Sequence, residues 1–300
     1  MAWAEGGGGE RKERIAVIGA SGYVGRNLQR VVDAFHSYVE LVSLAHRQLG
    51  MLEAEMDASR GEPGELSDIM PRIRGSSAMV CLAGAGRQSA GHPFEKSVVG
   101  SAALAVFLCG VAQIPRIVYL SGLGASPGTP IAYLSAKHRA EQVIRGSGLH
   151  YVIFRPSYIV GNGDHLSRYV ESRATGGAPS SHMPLEVYDC DRPIQPIHVE
   201  DAAQMILWGA LKSRQRQVTL DLVGPDRIPF RDYMDMLADE AGMPVQPVTM
   251  EEAYRHALED PEAAPFGVDD LGIIAGGFTG NFPRLVRTTG IRPQPVAVRL

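Results

Sequence analysis

Two stretches of this 300-residue chain carry side chains whose types and spacing can do chemistry. One is Tyr133-Leu-Ser-Ala-Lys137. On a helix, a four-residue spacing stacks the phenol and the ammonium on one face, one turn apart. A tyrosine ordinarily titrates near pH ~10, so proton transfer near neutrality needs a fixed cation beside it, and Lys137 is placed to be that cation. The other stretch is RIAVIGASGYVGRNL, where Gly19, Gly22 and Gly25 follow an apolar strand and open an amphipathic helix. Glycines there let the backbone turn tightly and approach a pyrophosphate, while the helix N-terminus offers unpaired N–H groups and a positive dipole. This spacing predicts a dinucleotide site built on Gly19, Ser21, Gly22, Tyr23, Val24 and Gly25.

The nucleotide is read at the end of the second strand, where an acidic residue would take the ribose hydroxyls of NAD and repel a 2′-phosphate. Here VELVSLAHR ends in Ala45, His46 and Arg47, and its one acid, Glu40, lies at the opposite end. An arginine fork matches a phosphate, so NADP(H) is favoured over NAD(H). Asp57 is read equally as an adenine contact or a turn residue, and Arg26 as a helper or a solvated helix residue.

These groups need a scaffold, and the first half of the chain alternates short β-branched runs with helical stretches, the pattern of a parallel sheet covered by helices. Strands are predicted at 14–18, 40–44, 79–82, 117–120 and 151–154, with helices at 23–35, 66–74, 94–113 and 134–147. The fold class is therefore α/β, a doubly wound parallel sheet with a smaller C-terminal cap. Residues 1–12 read as a flexible tail, 13–224 as the dinucleotide-binding domain and 225–300 as a small helical cap, with part of the cap inserted around 161–195. Within that insertion 161–184 reads as loop, followed by a helix at 199–211 and a late strand at 218–223.

Composition narrows the class further. A balance of 29 Lys+Arg against 33 Asp+Glu, net −4, with 45% apolar residues argues against nucleic-acid binding through a basic face and against global disorder. Three cysteines, Cys81, Cys109 and Cys190, without paired spacing, point to a reducing, cytoplasmic setting. The histidines show no metal-ligand spacing, so no metal is expected. Residues 97–115 run without a charge but carry Ser97, Gly100 and Gln113 between two strands, which reads as a helix buried against a sheet rather than a membrane span. A small-molecule substrate is the expected partner, with monomer and homodimer both open.

GASGYVG, VCLAG, IVYLSGLGAS, YLSAKHRAE, FRPSYIVGNGD and PIHVEDAA occur in this order between residue 14 and about residue 205. Together they resemble the short-chain dehydrogenase/reductase superfamily, in its extended or atypical branch with NmrA-like and complex I accessory-subunit-like members. The resemblance implies that Tyr133 gives or takes the proton, that Lys137 holds the nicotinamide ribose and tunes Tyr133, and that Ser121 helps polarise a carbonyl. It also implies that Leu82, Ala83 and Gly84, with Pro156, Ser157 and Tyr158, line the cofactor. The function it implies is hydride transfer between NADP(H) and a small carbonyl or alcohol. A silent NADP(H)-binding redox sensor or assembly subunit and a sugar-nucleotide epimerase or dehydratase are the alternatives.

Overall fold

The computed structural model describes residues 12–44, 64–84, 93–161, 163–174, 184–261 and 264–296. In chain order the strands are β1 (Glu13–Ile18), β2 (Val39–Leu44), β3 (Ala78–Cys81), β4 (Arg116–Leu120), β5 (His150–Pro156), β6 (Ile159–Val160), β7 (Leu185–Tyr188), β8 (Pro193–Ile194), β9 (Ile197–His198), β10 (Gln217–Leu222), β11 (Ile228–Pro229) and β12 (Val245–Val248). Six of them form one parallel sheet in the order β10-β5-β4-β3-β1-β2. The chain runs outward from β1 to β2 and then returns to β3 on the other side of β1. The order therefore reverses between β1 and β3, and a crevice opens beyond their C-terminal ends, where ligands bind in such sheets.

The middles of the inner strands β1, β3, β4 and β5 are apolar and buried because both faces of the sheet are covered. On one face α1 (Tyr23–Phe35) buries Leu28, Val31 and Val32 against Ile15 and Val17. α2 (Gly64–Ile73) and α3 (Ser101–Ala112) lie on the other face, the latter entered through a wide i→i+5 turn at Glu95–Gly100. Among the described residues this one helical run, Glu95–Ala112, is long and apolar enough to cross a membrane. Its Ala102, Leu104, Ala105 and Leu108 pack into the core of that sheet face. Cys81 and Cys109 sit in the same core, and burial pushes their thiols up to about 11 and about 12.

α4 (Ala132–Gly146) carries the Tyr133 and Lys137 pair between β4 and β5. The stretch after Gly161, expected as loop, contains α5 (His165–Ala174). Asp164 is the reason: its carboxylate accepts from the Ser167 N–H at 2.7 Å and the Gly161 N–H at 2.8 Å, capping the helix. α6 (Val199–Leu207) then packs on α1 and ends in a second wide turn at Trp208–Lys212.

The remaining helices are α7 (Phe230–Glu240), α8 (Met250–Glu259), α9 (Val268–Gly276) and α10 (Phe282–Thr289). This segment is not all helical, because β12 pairs in parallel with β7. A third core gathers around Phe266, whose ring meets Tyr188 at 5.2 Å and Phe230 at 5.8 Å, and Met234 and Met243 are buried in it.

Candidate active site and cofactor cleft

β1 ends at Ile18, and the next residue must turn against the end of β3. Gly19 has φ +87°, and a Cβ there would lie 2.9 Å from the Ala83 nitrogen and 3.0 Å from the Leu82 carbonyl carbon. Any side chain would force strand and turn apart. Gly22 N–H closes the turn on Gly19 O at 3.1 Å, and Gly22 is the N-cap of α1 with no side chain satisfying the helix's opening N–H groups. Gly25 lets the helix sit this low, since a Cβ there would lie 2.5 Å from the carbonyl oxygens of both Gly19 and Ala20. The result is a bare-backbone cradle with a helix N-terminus at its floor, which fits the pyrophosphate of a dinucleotide.

Other predicted cofactor contacts fall into different roles. Ser21 is exposed at the cradle, with the Arg26 guanidinium folded onto its carbonyl. Val24 packs into the core under the turn. Tyr23 turns its hydroxyl away and donates to Gly161 O at 3.1 Å, with burial and the nearby Asp164 carboxylate raising its phenol well above the ordinary range. Tyr23 therefore ties the glycine turn to the loop before α5. Leu82 and Ala83 abut Gly19, while Pro156, Ser157 and Tyr158 line the adjoining pocket. Arg47 and Asp57 lie outside the described residues.

Tyr133 stands in the first turn of α4, edge-on to Phe94 with ring centroids 5.4 Å apart. One turn on, Lys137 is 2% exposed. Its Nζ donates to Leu120 O at 2.8 Å and lies 5.4 Å from the Tyr133 ring centroid and 5.0 Å from that of Tyr119. A Cβ on Gly84 would come within 2.9 Å of that Nζ, so Gly84 makes room for the cation at the exit of β3. The ammonium thus sits beside Gly84 at the exit of β3, one helical turn from Tyr133.

Ser121 follows β4 and lines the same pocket, yet its hydroxyl donates to Glu141 Oε1 at 2.7 Å. Glu141 is wholly buried one helical turn beyond Lys137. Arg155 grips its carboxylate with a fork of two 2.7 Å bonds, and Arg145 adds a third at 3.1 Å. Burial alone would raise this carboxyl; the bonds from Arg155, Ser121 and Arg145 outweigh it and hold Glu141 below the ordinary glutamate range. A hydroxyl has one proton to donate, so in this arrangement Ser121 presents lone pairs to the pocket. The expected polarisation of a carbonyl by Ser121 requires its rotation away from Glu141. Sequence reasoning assigned Glu141 no role.

The pocket is a cavity of about 150 Å³ between Ser121, Tyr133 and Pro156 on the sheet side and Ile194, Asp270 and Phe278 on the other. The far wall is clamped to α4. Asp269 Oδ1 accepts from the Ala132 N–H at 2.9 Å, supplying the cap that α4's own N-cap residue, Ile131, lacks. Phe278 lies against Gly124, whose φ of +91° and missing Cβ leave space for the ring. None of Asp269, Asp270 and Phe278 was foreseen from the sequence.

A family model for NAD(P)H-binding proteins matches residues 19–181. Among curated proteins, the chain is 27% identical over 157 residues to an uncharacterized sugar epimerase, YhfK, of Bacillus subtilis, covering 48% of this chain and 71% of that one. It is 31% identical over 157 residues to the UPF0659 protein YMR090W of Saccharomyces cerevisiae, covering 48% and 68%. Among solved structures, MoeE5 in complex with UDP-glucuronic acid and NAD superposes with a TM-score of 0.67 at 15% identity, covering 96% and 95% of the two chains. RMD from Pseudomonas aeruginosa complexed with NADPH gives 0.62 at 20% identity, covering 94% and 95%. These structural likenesses show a shared fold, and the matched segment holds the glycine turn, Gly84, Ser121, Tyr133 and Lys137. The chain belongs to the NAD(P)H-binding family.

Proposed function

We propose that this protein reduces a small carbonyl compound with NADPH, or oxidises the corresponding alcohol. The observation that carries the reading is the buried Lys137 ammonium, placed 5.4 Å from the Tyr133 ring at the meeting of the glycine cradle and the pocket. The dinucleotide, when bound, supplies or accepts the hydride. Tyr133 donates its proton to the carbonyl oxygen as a C–H bond forms at the carbonyl carbon. Lys137 stabilises the phenolate left behind until solvent returns a proton, and oxidation runs the same steps backwards.

Parallel calorimetric titrations with NADPH and NADH test the first half of this reading, followed by a carbonyl screen in which cofactor oxidation is watched by absorbance. Binding of neither dinucleotide would overturn it. The 2′-phosphate preference rests on Arg47: Arg47→Glu should weaken NADPH by at least ~tenfold while changing NADH little, since like charge then faces the phosphate. Equal losses for both would remove Arg47 from phosphate recognition. Gly25→Ala, which forces a methyl group into two backbone carbonyls, should cost about 1–3 kcal/mol in overpacking and weaken both dinucleotides by about tenfold or more. Unchanged affinity in a folded variant would mean that the cradle is not the site.

A second reading, a cofactor-binding protein without turnover, is favoured by one observation, the commitment of the Ser121 hydroxyl to Glu141 at 2.7 Å. Bound NADPH with no carbonyl turned over across the screen would decide for it.

A further inference from the structure

Among the hydroxyls that line the pocket, that of Ser121 is fixed by its surroundings. Its proton goes to Glu141 Oε1 at 2.7 Å, a carboxylate oxygen that also accepts from Arg155 Nε at 2.7 Å. The other oxygen, Oε2, accepts from Arg155 Nη2 at 2.7 Å and Arg145 Nη2 at 3.1 Å. Four donors thus occupy a group that has no proton of its own to offer. Both arginines are anchored in turn on the edge strand β10: Arg145 Nη2 donates to Thr219 Oγ1 at 2.8 Å, and Arg155 feels the charge of Asp221. Glu141 therefore cannot swing aside to release Ser121, and turning the hydroxyl outward would give up a charge-assisted hydrogen bond.

We infer that Glu141 is a positioning residue that fixes the hydrogen-bond polarity of Ser121, so that the pocket takes a hydroxyl rather than a carbonyl at that serine. This rests on the oxidoreductase reading and deepens it. With its proton committed inward, Ser121 Oγ offers the pocket lone pairs alone. A ligand hydroxyl donates to them, whereas a carbonyl oxygen meets them acceptor to acceptor. The neutral Tyr133 phenol, which lines the same pocket, is a donor. An alcohol oxygen can therefore answer both groups and a carbonyl oxygen only Tyr133, which makes the alcohol the better-held member of a carbonyl and alcohol pair.

The test reads binding without hydride transfer. Cyclohexanol and cyclohexanone, which share one carbon skeleton, are titrated into the protein without dinucleotide and followed by ligand-observed NMR. The alcohol should bind about three- to tenfold more tightly, the range of one hydrogen bond. In Glu141→Gln the amide oxygen takes the place of Oε2, where both arginines donate, and the amide nitrogen faces Ser121. The serine then accepts from the amide and turns its own proton to the pocket, so the preference should shrink to parity or reverse. In Ser121→Ala it should fall to within about twofold, and adding Glu141→Gln to that variant should change it no further, a coupling that a merely structural loss would not show. Equal binding in the parent protein, a preference that survives either substitution, or no binding of either probe would overturn the inference. If Glu141→Gln loses its melting transition, Ser121→Ala decides alone. Absence of turnover with the expected ratios intact would overturn hydride transfer and leave the polarity of Ser121 standing, so the two fail separately.

Discussion

Replacing Tyr133 with phenylalanine should lower turnover about a hundred- to ten-thousand-fold while leaving NADPH affinity unchanged. The range is that of a positioned general acid. The substitution removes one oxygen and keeps the ring, so the edge-on contact with Phe94 at 5.4 Å and the apolar seat beside Lys137 persist. Neither the glycine cradle nor the Lys137 bond to Leu120 O depends on the phenol oxygen. Stopped-flow or steady-state rates, measured beside calorimetry with NADPH, separate the two quantities. A variant with parental turnover would take Tyr133 out of the chemistry. Parallel loss of affinity and rate would mean that it holds the cofactor instead.

The largest stability effect should come from Glu141→Ala. In the folded protein this carboxylate, fully buried, receives the Arg155 fork, Arg145 and Ser121. Removing it takes the shared carboxylate from Arg155 and Arg145, both partly exposed and the former still near Asp221, and breaking a buried pair costs about 3–5 kcal/mol, with the lower end expected here. Urea unfolding would measure it, and a loss under ~1 kcal/mol would show that the arginines find water instead. The same group sets an acid limit. Its folded-state carboxyl titrates below the ordinary value of about 4.3, so its contribution is complete above that pH and is lost as pH falls through the depressed folded value. Acid unfolding should therefore be less steep between pH ~4.5 and the acid limit in Glu141→Ala than in the parent protein.

The cofactor half was legible because its signals are local. An apolar strand, three glycines and an amphipathic helix follow within a score of residues, and each glycine has a steric reason that spacing alone reports. The Tyr133 and Lys137 pair was readable for the same reason, one helical turn being a fixed distance. Glu141 continues that face by another turn, and a glutamate among Ala136, Ala140 and Ile144, all buried, is the signal that was there to use. Its partners were out of reach, since Arg155 and Ser121 come from the ends of two strands that only the sheet brings together. Likewise α5 hid in a run rich in glycine and serine, its start marked by Asp164 alone. Asp269, Asp270 and Phe278 lie more than 130 residues beyond Tyr133 in sequence. No periodicity links residues so far apart, and the pocket they complete is a property of the fold.

The clamp of Asp269 on Ala132, with Phe278 on Gly124, has a consequence for how the protein is made. Chains emerge from the ribosome N-terminus first, and contacts between distant segments form late. The glycine cradle and the lysine beside it are translated by residue 137, whereas Asp269, Asp270 and Phe278 follow more than 130 residues later. A chain interrupted before α9 would keep every residue of the cradle and lack one wall of the pocket, and α4 would begin uncapped. Termination before residue 268 should therefore be as damaging to the pocket as a substitution in its lining.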